Sequence, residues 1–122
     1  MLDPNDGLRH IARRLSREFT AARIVTSHMV LVEVLNALRM PNARNAAVKF
    51  ATSLLADPKI IVVSQTARLF SSALALYRDR EDQAWSLTDC ASFDIMRRRK
   101  IREALAHDVH FEQAGFVALL RH

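Results

Sequence analysis

The segment Ile60-Ile-Val-Val63 is an unbroken run of four β-branched residues, set between Asp57-Pro58 and Ser64. A strand with no polar face is the kind buried on both sides of a parallel sheet whose faces are covered by helices. Arg23-Ile-Val-Thr26 is a second short β-branched run and reads as another strand. With only 2 Gly and 3 Pro in 122 residues, the turn formers that most all-β architectures need are missing. The pattern points to an α/β chain.

The stretches between these runs have helical spacing. Leu8, Ile11, Ala12, Leu15 and Phe19 predict a helix over 6–19, after the turn dipeptides Asp3-Pro4 and Asp6-Gly7. Ser27 is placed to cap a helix over 28–39 that is apolar on nearly every side and so reads as buried, with Pro41 ending it. A third helix is expected over 43–56, with Ala47, Phe50, Ala51, Leu54 and Leu55 on its apolar side. A fourth is expected over 66–79 with Ala67, Phe70, Ala73, Leu74 and Tyr77 inward, and a fifth runs from Ser86 to Lys100. A weak strand around 103–107, a short helix over 109–113 and a last strand after the turn at Gly115 complete the chain. Alternating helices and short strands predict one three-layer α/β domain over residues 1–122, with a mostly parallel sheet.

Charge and composition narrow the function classes. The net charge of +5 suits contact with phosphate backbones, and also suits an ordinary soluble protein. Part of it is concentrated in Arg97-Arg98-Arg99-Lys100. A single Cys excludes a disulfide framework and a Cys-rich zinc site, and Cys90 reads as a small core residue. No glycine-rich phosphate loop is present. The longest apolar run is five residues, far below the roughly 18 needed to cross a bilayer, and no secretory signal pattern opens the chain. The expectation is a cytoplasmic protein.

Three acids stand out, each with two readings. Asp89 lies three residues after Ser86, the spacing of a capping box, and also sits in the first turn of a helix. Asp108 follows the strand candidate 103–107, at the carboxyl end where α/β sheets gather functional groups, or it caps the short helix beyond. Glu33 is flanked by Val32 and Val34 in the most apolar helix, where a buried carboxylate needs a partner or a metal, unless it falls on a solvent face. His107 and His110 flank Asp108 without a metal-ligand spacing of their own.

The segments Trp85-Ser-Leu-Thr-Asp-Cys-Ala-Ser-Phe93, Thr26-Ser-His-Met-Val-Leu-Val-Glu-Val-Leu-Asn-Ala-Leu38 and Ala104-Leu-Ala-His-Asp-Val-His-Phe-Glu-Gln-Ala-Gly-Phe116 resemble, in order and spacing, the PIN domains of VapC-type toxins. Leu2-Asp-Pro-Asn-Asp6 is similar to the turn after that family's first helix. The resemblance implies a metal-dependent endoribonuclease, the toxin of a type II toxin–antitoxin pair. Its second, third and fourth acids fall on Glu33, Asp89 and Asp108, which would hold Mg²⁺ or Mn²⁺. It further implies a small antitoxin partner and a homodimer.

Two departures from the family accompany the match. The family's first acid belongs to a central N-terminal strand that would precede residue 1, and Asp3 and Asp6 do not replace it. Ala106 stands where many relatives carry Thr or Ser. The expectation is thus a PIN domain without its first strand, with an inactive remnant that binds antitoxin or itself as the alternative. A structure-specific nuclease of the wider PIN group is a third reading, less suited to so short a chain. Arg97 to Lys100, or the first-helix arginines, are candidates for holding RNA phosphates.

Overall fold

The computed structural model of the chain describes residues 24–104 and 109–118. The helix expected over 6–19 and the end of the strand expected over 103–107 lie outside these residues. The chain divides into two compact units, Met1–Ser64 and Gln65–His122. None of the described helices is long and apolar enough to cross a membrane.

In the first unit, strand β1 (Ile24–Ser27) leads directly into helix α1 (His28–Ala37), followed by α2 (Pro41–Ala56) and β2 (Ile60–Val63). β1 and β2 pair in parallel, with Ile24 opposite Ile60 and Ser27 opposite Val63. Ser27 is both the last strand residue and the cap of α1. Its backbone is extended and its hydroxyl accepts from the Val30 N–H at 3.3 Å. Ser27 is also almost completely buried, so this bond satisfies a polar atom with little access to water.

Pro41 opens α2 rather than closing α1, which already ends at Ala37. Proline suits the first helical position because its missing N–H would have no intrahelical partner there. It also holds Met40 before it in extended backbone, at φ −67° and ψ 148°. Ala43, Ala47 and Ala51 form the buried stripe of α2, which packs on α1 and β2. Phe50 and Leu54 are half-buried, and Leu55 is exposed.

The expectation of an all-round buried α1 is corrected by the structure. Only Leu31 is buried, with Val30, Val34 and Leu38 partly so, whereas Val32 and Leu35 are exposed. β2 is likewise half-buried along its length, because in the described sheet it has a single strand neighbour.

In the second unit, α3 (Ala67–Asp79) packs on α4 (Leu87–Arg98), followed by β3 (Glu103–Ala104), α5 (His110–Gln113) and β4 (Val117–Ala118). Thr66 caps α3 through the Leu69 N–H at 3.1 Å. β3 and β4 pair in parallel, Glu103 opposite Val117. Gly115, at φ +95°, makes the turn into β4 in a backbone region that side chains disfavour.

The inward face of α3 matches the expected one at Ala73 but not at Phe70, Leu74 or Tyr77. Leu69 and Ala73 are buried, while Phe70, Leu74 and Tyr77 are 42%, 47% and 51% exposed. The helix carries apolar residues on two faces, and the stripe that starts at Leu69 is the one that packs.

The core of this unit is aromatic. Phe93 is fully buried and meets Trp85 and Phe111 edge-on, each at 4.9 Å between centroids, and Phe116 at 5.7 Å. Edge-to-face contacts of this kind place the positive rim of one ring on the negative face of the next. The Trp85 indole N–H donates to Gln113 Oε1 at 3.1 Å, which satisfies the polar edge of a buried ring.

Candidate functional site

Asp89 is in the first turn of α4, and the capping box expected from the sequence is complete. The Asp89 N–H donates to Ser86 Oγ at 3.0 Å, and the Ser86 N–H donates to Asp89 Oδ2 at 3.1 Å. The cap fixes the orientation of the carboxylate without using it up. Asp89 Oδ1 accepts no hydrogen bond among the described residues. A carboxylate has lone pairs on both oxygens, so capping and cation binding are compatible in one side chain.

The chain on either side of this acid is well anchored. Trp85, four residues before Asp89, is tied to Gln113, five residues beyond Asp108, by the indole bond and by the rings around Phe93. Thus the start of α4 and the segment that follows Asp108 are held together. Nothing in the composition signalled this hub. The signal that could have found it is the spacing of Trp85, Phe93, Phe111 and Phe116 within two of the family-like segments. Asp108 and His107 themselves lie outside the described residues. His110 Nδ1 is 3.3 Å from Gln113 Oε1, so this imidazole belongs to the hub.

Glu33 sits on α1 in the other unit and is exposed. Of the two readings of Glu33, the structure shows the solvent-facing one. At 100° per residue, Glu33 lies about 200° round the helix from Leu31, which carries it to the outer face. It makes no side-chain hydrogen bond or ion pair among the described residues. No group of three or more His, Cys, Asp or Glu able to hold a metal ion occurs among the described residues.

Cys90 is fully buried beside Asp89. Burial, and next the neighbouring Asp89 carboxylate, push its thiol above the ordinary range. It is a core residue, as expected, and no nucleophile at neutral pH.

The cations at the far end of α4 divide into two groups. The Arg97 guanidinium lies 6.0 Å from the centre of the Phe116 ring. Arg98 Nε donates to Asp94 Oδ2 at 2.9 Å, and its Nη2 donates to Ser72 Oγ at 3.3 Å. Arg99, Lys100 and Arg102 are exposed and make no side-chain hydrogen bond or ion pair among the described residues.

Parallel strand pairs joined through helices, with an acid capped into the first turn of α4, place the chain in the α/β class. No profile of a known protein family matches the chain. The chain is 32% identical over 94 residues to the 23S rRNA-specific endonuclease VapC20 of Mycobacterium tuberculosis, in sequences from two strains. That alignment covers 77% of this chain and 71% of the relative. The crystal structure of M. tuberculosis VapC20, described as a sarcin–ricin loop cleaving toxin, superposes with a TM-score of 0.79 at 32% identity, covering 91% of this chain and 85% of that one. The chain belongs to the VapC-type PIN-domain toxins, the ribonucleases of toxin–antitoxin pairs.

Proposed function

We propose that this chain is a metal-dependent endoribonuclease in which Glu33, Asp89 and Asp108 supply the ligands for Mg²⁺ or Mn²⁺. The observation that carries the reading is Asp89. Its carboxylate is oriented by a complete capping box with one oxygen left over, in a chain that shares about a third of its residues with an RNA endonuclease over most of its length. An all-oxygen carboxylate donor set suits a hard divalent cation rather than zinc or copper. Such a cation, when bound, lowers the pKa of a bound water and offsets negative charge that builds up on the phosphate. The chain's own part is to hold the acids in place, which the Ser86 cap does for Asp89 and the Trp85–Gln113 tether does for the segment beyond Asp108.

The substrate proposed is a structured ribosomal RNA loop, the class on which the Mycobacterium relative acts. The natural partner is a small antitoxin, the working form is a homodimer, and the compartment is the cytoplasm where that RNA resides. The inactive-remnant alternative is disfavoured by the extent of likeness to an endonuclease.

The test is cleavage of ribosomal RNA with Mn²⁺ present. Glu33→Gln, Asp89→Asn and Asp108→Asn should each slow cleavage by roughly 100-fold or more, beyond the 10–100-fold typical of residues that only support a metal ligand. Chelation with EDTA should abolish cleavage, and added Mn²⁺ should restore it. Cleavage that survives both EDTA and all three substitutions would sink the metal assignment.

A further inference from the structure

The five cations of Arg97-Arg98-Arg99-Lys100 and Arg102 are not equivalent. Arg97 and Arg98 lie in the last turn of α4, where cations offset the helix dipole, and both are engaged inside the unit. Arg99, the C-cap residue of α4, and Lys100 and Arg102 after it make no side-chain hydrogen bond or ion pair among the described residues.

The backbone there is unusual for its residues. α4 closes with the Lys100 N–H on Arg97 O at 3.2 Å and the Ile101 N–H on Met96 O at 2.8 Å. This is the double closure that normally places glycine in the left-handed position. Here that position is Lys100, at φ 58°. Half-buried Ile101 anchors the turn between exposed Lys100 and Arg102. A local rule is broken in favour of a cation, as expected where a side chain serves function rather than folding.

We propose that Arg99, Lys100 and Arg102 form a docking ridge for the RNA backbone, remote from the bond that is cut. The proposal rests on the ribonuclease reading given above. Asp89 and Arg99 are ten residues apart on one helix axis, about 15 Å at 1.5 Å per residue. At the ~3.4 Å rise of a stacked strand, RNA must extend about four to five nucleotides from the scissile bond before it reaches the ridge. The ridge therefore favours long or folded RNA over short fragments.

Binding is measured on the full chain carrying Asp89→Asn, so that RNA stays intact. The probes are a hairpin RNA of about 20 nucleotides and a fragment of about 2, which is too short to span the distance. The expected result for Arg99→Gln/Lys100→Gln/Arg102→Gln is a loss of about 10-fold or more in hairpin affinity, with a log–log salt slope shallower by about 2–3. The preference for hairpin over fragment should collapse by the same factor. Arg99→Lys/Arg102→Lys, which keeps the charge, should retain that preference. Lys100→Gly should raise thermal stability while weakening hairpin binding, a combination that a purely structural residue would not give.

Unchanged hairpin affinity and salt slope in the triple variant would overturn the proposal, as would equal losses for hairpin and fragment. Loss of binding to a poly-glutamate peptide with hairpin binding intact would assign the ridge to an acidic protein partner instead. If the unsubstituted chain neither binds nor cuts either RNA, the ribonuclease reading fails and the ridge fails with it.

Discussion

At the residue scale, Asp89 joins a structural bond to a chemical expectation, and the two can be separated. Ser86→Ala removes the hydroxyl that accepts from the Asp89 N–H but leaves the carboxylate, so it should cost about 1 kcal/mol of stability and keep most RNA cleavage. Asp89→Asn keeps an oxygen for the Ser86 N–H and removes the charge, so it should spare stability and lose cleavage. Denaturant unfolding beside a cleavage assay checks both, and equal effects on the two readouts would merge the roles. Cys90 gives a pH signature. Its folded thiol titrates above the unfolded one, so its contribution is full below the unfolded value near 8.5 and is lost as pH rises through the folded value. Cys90→Ala should flatten the alkaline fall in stability, measured by urea unfolding at several pH values. The cap at Ser86 was legible in the sequence because a capping box is a local four-residue pattern. The exposure of Glu33 was not, because its local sequence is apolar and only packing decides which side of a helix faces water.

At the element scale, boundaries were easier to read than faces. β1, β2 and the helices from α1 to α4 fall within a few residues of their expected limits, since caps, prolines and β-branched runs act locally. Faces were harder. α3 has one apolar stripe through Leu69 and Ala73 and another through Phe70, Leu74 and Tyr77, and periodicity cannot choose between them. Pro41 marks a helix boundary in either reading, and its place at the start of α2 follows from the early end of α1 at Ala37. The Ala43, Ala47 and Ala51 stripe lets α2 pack closely on its neighbours. Ala47→Leu should therefore overpack this face and destabilise the protein by about 1–3 kcal/mol, while Val48→Leu on the exposed side should stay within ~0.5 kcal/mol. Thermal melts of the two variants check the direction of the helix face.

At the scale of the whole molecule, the α/β class with parallel strands was legible from the order of runs, whereas the aromatic hub was not. Trp85, Phe93, Phe111 and Phe116 span more than thirty positions of chain, and nothing local announces that they meet at one ring. Phe93→Ala should cost about 3–5 kcal/mol, because it removes a fully buried ring with three aromatic neighbours. Chemical unfolding measures this loss, and a cost below ~1 kcal/mol would mean that the hub relaxes into the gap. The hub also contains the protein's single tryptophan, sealed from solvent with its indole bound to Gln113. Intrinsic fluorescence is therefore a built-in reporter of the second unit alone, whereas far-ultraviolet circular dichroism sums the helices of both. Overlaid denaturation curves from the two signals would reveal whether the units melt as one cooperative body or in sequence, with no label attached.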